Sequence, residues 1–219
     1  MIRRLSYYLS LPLLAFTASG EVPGIHLADK TLKVDLIDSD EKEFFISQTM
    51  DLSGRLFVGC REALYVYEPT AKGGFGPRQE LYRFPKDSWL YDLEVYGNDL
   101  FVLTNTALYR MRNAVTRRSK LKPDKLLWGK PLGHFHQGLH GMEFGPTGDL
   151  FLSMGDPQPH MHWDRSRPDH LWHWVFYVGP DNKEVPYTGV GAVFRYRLKD
   201  HSLTIHASGL RNSCGISFD

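Results

Sequence analysis

Beyond the first twenty residues, short runs of alternating apolar and polar positions recur along the chain, broken by Gly, Asp, Asn and Pro. Period-two alternation bounded by turn residues predicts consecutive strands, and helical periodicity is hard to find. Three segments share one layout: Asp51-Leu-Ser-Gly-Arg-Leu-Phe-Val-Gly59, Glu94-Val-Tyr-Gly-Asn-Asp-Leu-Phe-Val-Leu103 and Glu143-Phe-Gly-Pro-Thr-Gly-Asp-Leu-Phe-Leu-Ser153. Each predicts a strand, a tight glycine-containing turn, and a second strand that opens on Leu-Phe followed by Val or Leu. Glycine supplies the positive φ values that a hairpin needs and that side chains with a Cβ resist.

Two of these segments continue into a further hairpin with matching text, Ala63-Leu-Tyr-Val-Tyr67 and Ala107-Leu-Tyr-Arg-Met111. Aligning the turns on Leu56, Leu100 and Leu150 gives spacings of 44 and 50 residues. A recurring all-β unit of about 40–50 residues is what a four-stranded propeller blade requires. After Ser153 the pattern loosens, and alternation returns in Gly191-Ala-Val-Phe-Arg-Tyr-Arg197 and Ser202-Leu-Thr-Ile-His206, a further hairpin. Residues 155–190 read as a long insertion on one propeller face, and loops of that length are often functional. The final Gly215-Ile-Ser-Phe-Asp219 looks like the opening strand of another unit and matches Gly141-Met-Glu-Phe-Gly145. The expectation is an all-β protein, a β-propeller incomplete in this chain. Residues 21–219 would supply about four blades, at roughly 45 residues each, of a ring six-bladed in the full protein.

The first residues change the picture in another way. Met1-Ile2-Arg3-Arg4 is a short basic region, Leu5 to Phe16 is apolar, and Thr17-Ala18-Ser19-Gly20 is small and polar. That order predicts a signal peptide over residues 1–20, cleaved near Gly20, and export to the periplasm or the extracellular space. An uncleaved N-terminal anchor is the alternative, although the apolar stretch is shorter than the ~20 residues of a membrane span. The whole sequence carries a formal charge of +1. Nothing in it points to nucleic acid: the densest basic stretch, from Arg110 to Lys125, contains Pro123 and reads as a solvated loop. Cys60 and Cys214 could pair in an exported protein, but two cysteines do not make a disulfide framework. No Cys-x-x-Cys-His is present, so the chain carries no haem attachment motif.

Two stretches carry a family resemblance. One runs His134-Phe-His-Gln-Gly-Leu-His-Gly-Met-Glu-Phe-Gly-Pro-Thr-Gly-Asp-Leu-Phe-Leu-Ser-Met-Gly-Asp156, the other Ala207-Ser-Gly-Leu-Arg-Asn-Ser-Cys-Gly-Ile-Ser-Phe-Asp219. Their order resembles the quinoprotein glucose/sorbosone dehydrogenases, in which a His-containing segment precedes Gly-Pro-x-Gly and a later blade opens on Gly-x-Arg-Asn-Pro-x-Gly. Arg167-Pro-Asp-His170 and Pro186-Tyr-Thr-Gly-Val-Gly191 look closer to one branch, the planctomycete membrane-bound-dehydrogenase-type and haem-binding proteins. The resemblance implies pyrroloquinoline quinone (PQQ) as cofactor, calcium as metal, and a sugar or small alcohol as hydride donor. It also implies a haem c electron acceptor in a further C-terminal domain. It points to His136 as the general base, with His140 as second choice, and to Arg211 and Asn212 as the pair that binds the quinone. The guanidinium of Arg211 would stabilise negative charge on the reduced quinone. Two departures stand out: Gly138-Leu-His-Gly-Met142 replaces the expected Gly-Gly-Arg-Leu, and Ser213 stands where the family has proline.

Other readings of the same residues stay open. Seven of the ten histidines fall between 134 and 173, which could signal zinc or copper, yet no Cys partner or His-Glu-x-x-His supports a metal site. Trp163, Trp172 and Trp174 could stack on a sugar or pack the insertion. Arg211-Asn212 could join neighbouring blades instead of binding a cofactor. A non-catalytic binding propeller that recognises glycan or protein, or a degenerate fragment, is the alternative to a dehydrogenase. A lactonase-type hydrolase would need a calcium-binding Glu/Asn/Asp set that the sequence does not display.

Overall fold

The computed structural model describes residues 28, 34–105, 107–117, 121–129, 139–155, 175–177, 191–210 and 213–218. The leader, His134, His136, most of 155–190, Arg211 and Asn212 lie outside the described residues. No described helix is long and apolar enough to cross a membrane.

Every regular element described is a strand. The first sheet has the order β1 (Ser47–Met50), β2 (Leu56–Gly59), β3 (Ala63–Tyr67), β4 (Gln79–Arg83). The second follows with β5 (Leu90–Tyr96), β6 (Asp99–Thr104), β7 (Ala107–Met111) and β8 (Pro123–Gly129). The third comprises β9 (Leu139–Phe144), β10 (Leu150–Met154), β12 (Gly191–Tyr196) and β13 (Leu203–Leu210). Each sheet is an antiparallel meander in sequence order, and β1, β5 and β9 lie side by side. These are blades of a β-propeller. Closed propellers need about four blades or more, so the three described sheets form an arc.

The predicted hairpins are the first, second and third strands of each blade. Leu56, Leu100 and Leu150 pair with Met50, Val95 and Phe144 across the turns, as the shared text predicts. Stacking of blades explains why the Leu-Phe-(Val/Leu) runs do not alternate. Leu100 and Val102 pack with Phe57, Leu64 and Val66 of the first blade, while Phe101 and Leu103 pack with Met142, Leu152 and Phe194 of the third. A middle strand wedged between two blades buries both its faces.

Two sequence expectations change. Val175–Tyr177, inside the predicted face insertion, forms β11 and pairs antiparallel with β8, adding a fifth strand to the outer edge of the second blade. The basic stretch is also not one solvated loop: Arg110 lies in β7 and Lys125 in β8, opposite the paired positions Phe101 and Tyr109. Their charges are placed by cross-strand neighbours, with Arg110 held by Asp99 and Lys125 over the Tyr109 ring at 5.7 Å.

Candidate functional site at the head of the inner strands

Chain direction puts one end of every blade to the same use. In the third blade Leu139 faces Met154, Met154 faces Ala192, and Gly191 faces Leu210. The start of β9 and the end of β13 are therefore at one rim, together with the flanks of the 155–190 insertion.

At that rim, β5 and β9 each hold one residue more than their partner strand. Leu90 pairs with Thr104 and Asp92 with Leu103, which leaves Tyr91 as the extra residue. Leu139 pairs with Met154 and Gly141 with Ser153, which leaves His140. A β-bulge re-aims the side chain of its extra residue and is common beside functional sites. Counted back from the turn, Tyr91 precedes Val95 and His140 precedes Phe144 by the same four positions. The same count back from Phe218 reaches Cys214. The segment 213–218 runs alongside β9, with Cys214 beside Gly141 and Phe218 edge-on to Phe151 at 4.8 Å.

These three repeat-equivalent residues touch in series. The Tyr91 and His140 rings meet edge to face with centroids 5.7 Å apart, and His140 Nδ1 lies 3.9 Å from Cys214 Sγ. His140 is buried, at 9% exposure, whereas Cys214 is exposed. Burial, and then the neighbouring Cys214, push the Tyr91 phenol up to about 12, so Tyr91 stays protonated at neutral pH. The run continues away from His140 through Trp89, whose ring is 6.5 Å from Tyr91 and 6.3 Å from Phe44. The Arg61 guanidinium stacks over Trp89 at 4.7 Å, and Arg61 itself is exposed in the β2–β3 turn.

The position after the bulge joins blade to blade. Ser47 donates to the Leu90 carbonyl at 2.6 Å, and the Met142 amide donates to Asp92 Oδ2 at 2.8 Å. At Gly141, the next equivalent, a Cβ would stand 3.0 Å from the Cys214 carbonyl oxygen. Absence of a side chain there lets residue 214 close on the third blade.

Of the residues predicted for the site, His140 is described and stands in this row. His136, Arg211 and Asn212 lie outside the described residues, as do the other histidines between 134 and 173. Among the described residues no group of three or more His, Cys, Asp or Glu could hold a metal ion. Sequence reasoning missed Tyr91, Trp89, Arg61 and the Cys214 contact. Counting back from each turn would have aligned Tyr91, His140 and Cys214, because the turn text is the repeat's best-marked feature.

No protein-family model matches the chain, and neither does any curated protein. Solved structures do. A catalytically inactive virginiamycin B lyase from Staphylococcus aureus with quinupristin is 12% identical, with a TM-score of 0.42 over 78% of this chain and 57% of that one. The selenomethionine-substituted lyase from the same organism is 13% identical, with a TM-score of 0.40 and the same two shares, 78% and 57%. A streptogramin B lyase structure is 13% identical, with a TM-score of 0.37 over 78% of this chain and 56% of that one. The chain thus spans a little over half the length of these proteins. The likeness is one of fold, and the propeller assignment stands on the sheets themselves.

Proposed function

We propose that this chain is the N-terminal part of an exported quinoprotein-type sugar or alcohol dehydrogenase, with His140 as its proton acceptor. The observation that carries the reading is the bulge that turns a buried imidazole to the rim where β9 begins and β13 ends. An imidazole suits general-base work because its ordinary pKa lies near operating pH. The hydride acceptor would be supplied by PQQ when bound. A planar anion of that kind calls for a stacking surface and a cation, and Trp89 with Arg61 over it is such a pair. Those two residues would hold the quinone's edge, and His140 would take the substrate hydroxyl proton at a ring nitrogen. Calcium finds no ligand set among the described residues, so no step is assigned to it.

The test is reconstitution of the full-length protein with PQQ and calcium, followed by dye reduction with a panel of aldoses and alcohols. His140→Asn should lower kcat by about 10²-fold or more with little change in KM. Absence of dye reduction across the panel, with PQQ demonstrably bound, counts against the dehydrogenase.

The exposed Phe44 and the stacked Arg61–Trp89 pair favour a second reading, a face that recognises glycan or protein without chemistry. Saturable quenching of tryptophan fluorescence by glycans, lost in Arg61→Ala, would support it over the first.

A further inference from the structure

We propose that the cleft between the second and third blades, on the rim opposite His140, binds a sugar acid: a pyranose ring that carries a carboxylate. The inference stands apart from the dehydrogenase reading, which uses the other rim. The turns that join β9 to β10 and β12 to β13, with the end of β5, bound a cleft of about 660 Å³. That volume falls within the ~300–1,000 Å³ of small-molecule sites. Of its lining residues, Tyr96, Asp149, Arg197 and Lys199 carry the chemistry.

The aromatic wall is fixed in place. Tyr96 stacks on Phe144 with centroids 4.1 Å apart and planes at 16°, which covers one face of its ring, yet the residue is 44% exposed. Gly148, at a φ of +77°, lets the β9–β10 turn close on that ring, since a Cβ there would stand 2.6 Å from the Tyr96 hydroxyl oxygen. A rigid, half-exposed phenol offers the C–H face of a pyranose an apolar surface with a polar tip.

The charges on the wall are sorted by their partners. Arg195 and the Thr147 hydroxyl donate to Asp149 Oδ2, and the amide and hydroxyl of Ser202 donate to Asp200 Oδ1. The Arg195 hydrogen bond holds the Asp149 carboxyl below the usual range, and those from Ser202 do the same for Asp200, so both stay ionised. Arg197 and Lys199 are exposed and form no ion pair among the described residues. Arg195, Arg197 and Lys199 against Asp149 and Asp200 leave the wall net positive. The fork of a guanidinium matches the two oxygens of a carboxylate, and an ammonium beside it adds charge. Asp149 Oδ1, which neither Arg195 nor Thr147 uses, is an acceptor for a ring hydroxyl. Ring face, cations and acceptor together suit a hydroxylated ring with an acid group better than a bare anion.

The native full-length protein is titrated with glucuronate by calorimetry at low ionic strength. Glucuronate should bind about tenfold or more tighter than glucose, which lacks the acid, and than acetate, which lacks the ring. Added salt should weaken it. Arg197→Gln combined with Lys199→Gln should weaken it about tenfold or more at an unchanged urea midpoint, because both side chains are exposed. Tyr96→Leu should weaken glucuronate and leave acetate as it was; should that variant unfold, the double variant decides. No saturable heat at glucuronate concentrations on the order of 10 mM overturns the proposal. So does glucuronate binding unchanged in the folded double variant, or glucose 6-phosphate bound as tightly as glucuronate.

Discussion

Gly59 sits in β2 close against the start of the second blade. A Cβ on it would stand 2.5 Å from Ser47 Oγ and 2.9 Å from the Leu90 Cβ. Neither neighbour is free to yield: Ser47 Oγ is donating to the Leu90 carbonyl, and Leu90 is fully buried. Overfilling a packed interface costs about 1–3 kcal/mol, so Gly59→Ala should lower the urea midpoint at unchanged m-value. An unaltered midpoint would mean the blades are further apart than described. Asp51 offers a pH-dependent counterpart in the neighbouring turn. Burial opposes its charge, but the Ser53 hydroxyl, the Arg55 amide and the Arg55 guanidinium hold its carboxyl below the usual range. The folded value is therefore lower than the unfolded one of about 3.9. The stabilisation is present above the unfolded value and lost as pH falls through the folded one. Asp51→Asn should flatten the acid limb of the stability profile while leaving its neutral-to-alkaline shape alone. At this scale the sequence marked Asp51 and the turn glycines clearly. It did not mark Gly59, because nothing in one strand says which residue of a neighbouring sheet will approach it.

At the scale of elements, the second and third blades share a clamp. Asp99, one residue before Leu100-Phe101, holds Arg110, which faces Phe101 across the sheet. Asp149, one residue before Leu150-Phe151, holds Arg195, which faces Phe151. Each clamp ties the start of the second strand to the third and fixes register against a slip that would turn apolar side chains outward. The first blade has Arg55 at that point, and its pair closes within the turn, to Asp51 at 2.6 Å. Arg195→Leu should cost about 1 kcal/mol, and a double-mutant cycle with Asp149→Asn should show the two changes to be less than additive. Strict additivity in that cycle would argue that the contact contributes nothing. The hairpins themselves were legible because their turn text repeats and a short apolar run follows each turn. The bulges were not, since Tyr91 and His140 differ in kind and the extra residue emerges only when cross-strand pairs are counted. β11 was not legible either: three residues in a histidine- and proline-rich stretch carry no alternation long enough to read.

On the scale of the whole molecule, the first blade has a face that no other described sheet covers, built from Leu56, Val58, Cys60, Ala63, Tyr65 and Tyr67. The chain's own residues 38–43 lie against it. Tyr65 donates to Glu43 and Tyr67 to Asp38, each at 2.6 Å, and Arg78 reaches Asp40 at 2.7 Å and Asp38 at 3.5 Å while its guanidinium lies over Tyr65. Among the described residues, Arg78 is thus the cation that gathers both aspartates onto the sheet. Its hydrogen bond holds the Asp40 carboxyl below the usual range. Attachment through that pair is complete above the unfolded value and fails as pH falls through the lower, folded one. Arg78→Ala at neutral pH and the wild type at a pH acid enough to protonate Asp40 in the folded chain should behave alike. In both, residues 34–46 become the first site of limited proteolysis, and a dye that fluoresces on apolar surface binds to the uncovered face. The far-UV spectrum should stay that of a β protein, because the inter-blade clusters lie elsewhere. If 34–46 resists an acid-active protease at low pH as well as at neutral pH, the tyrosine hydrogen bonds and apolar packing must hold the strap alone. Equal resistance in Arg78→Ala and wild type at neutral pH would remove the guanidinium from that role.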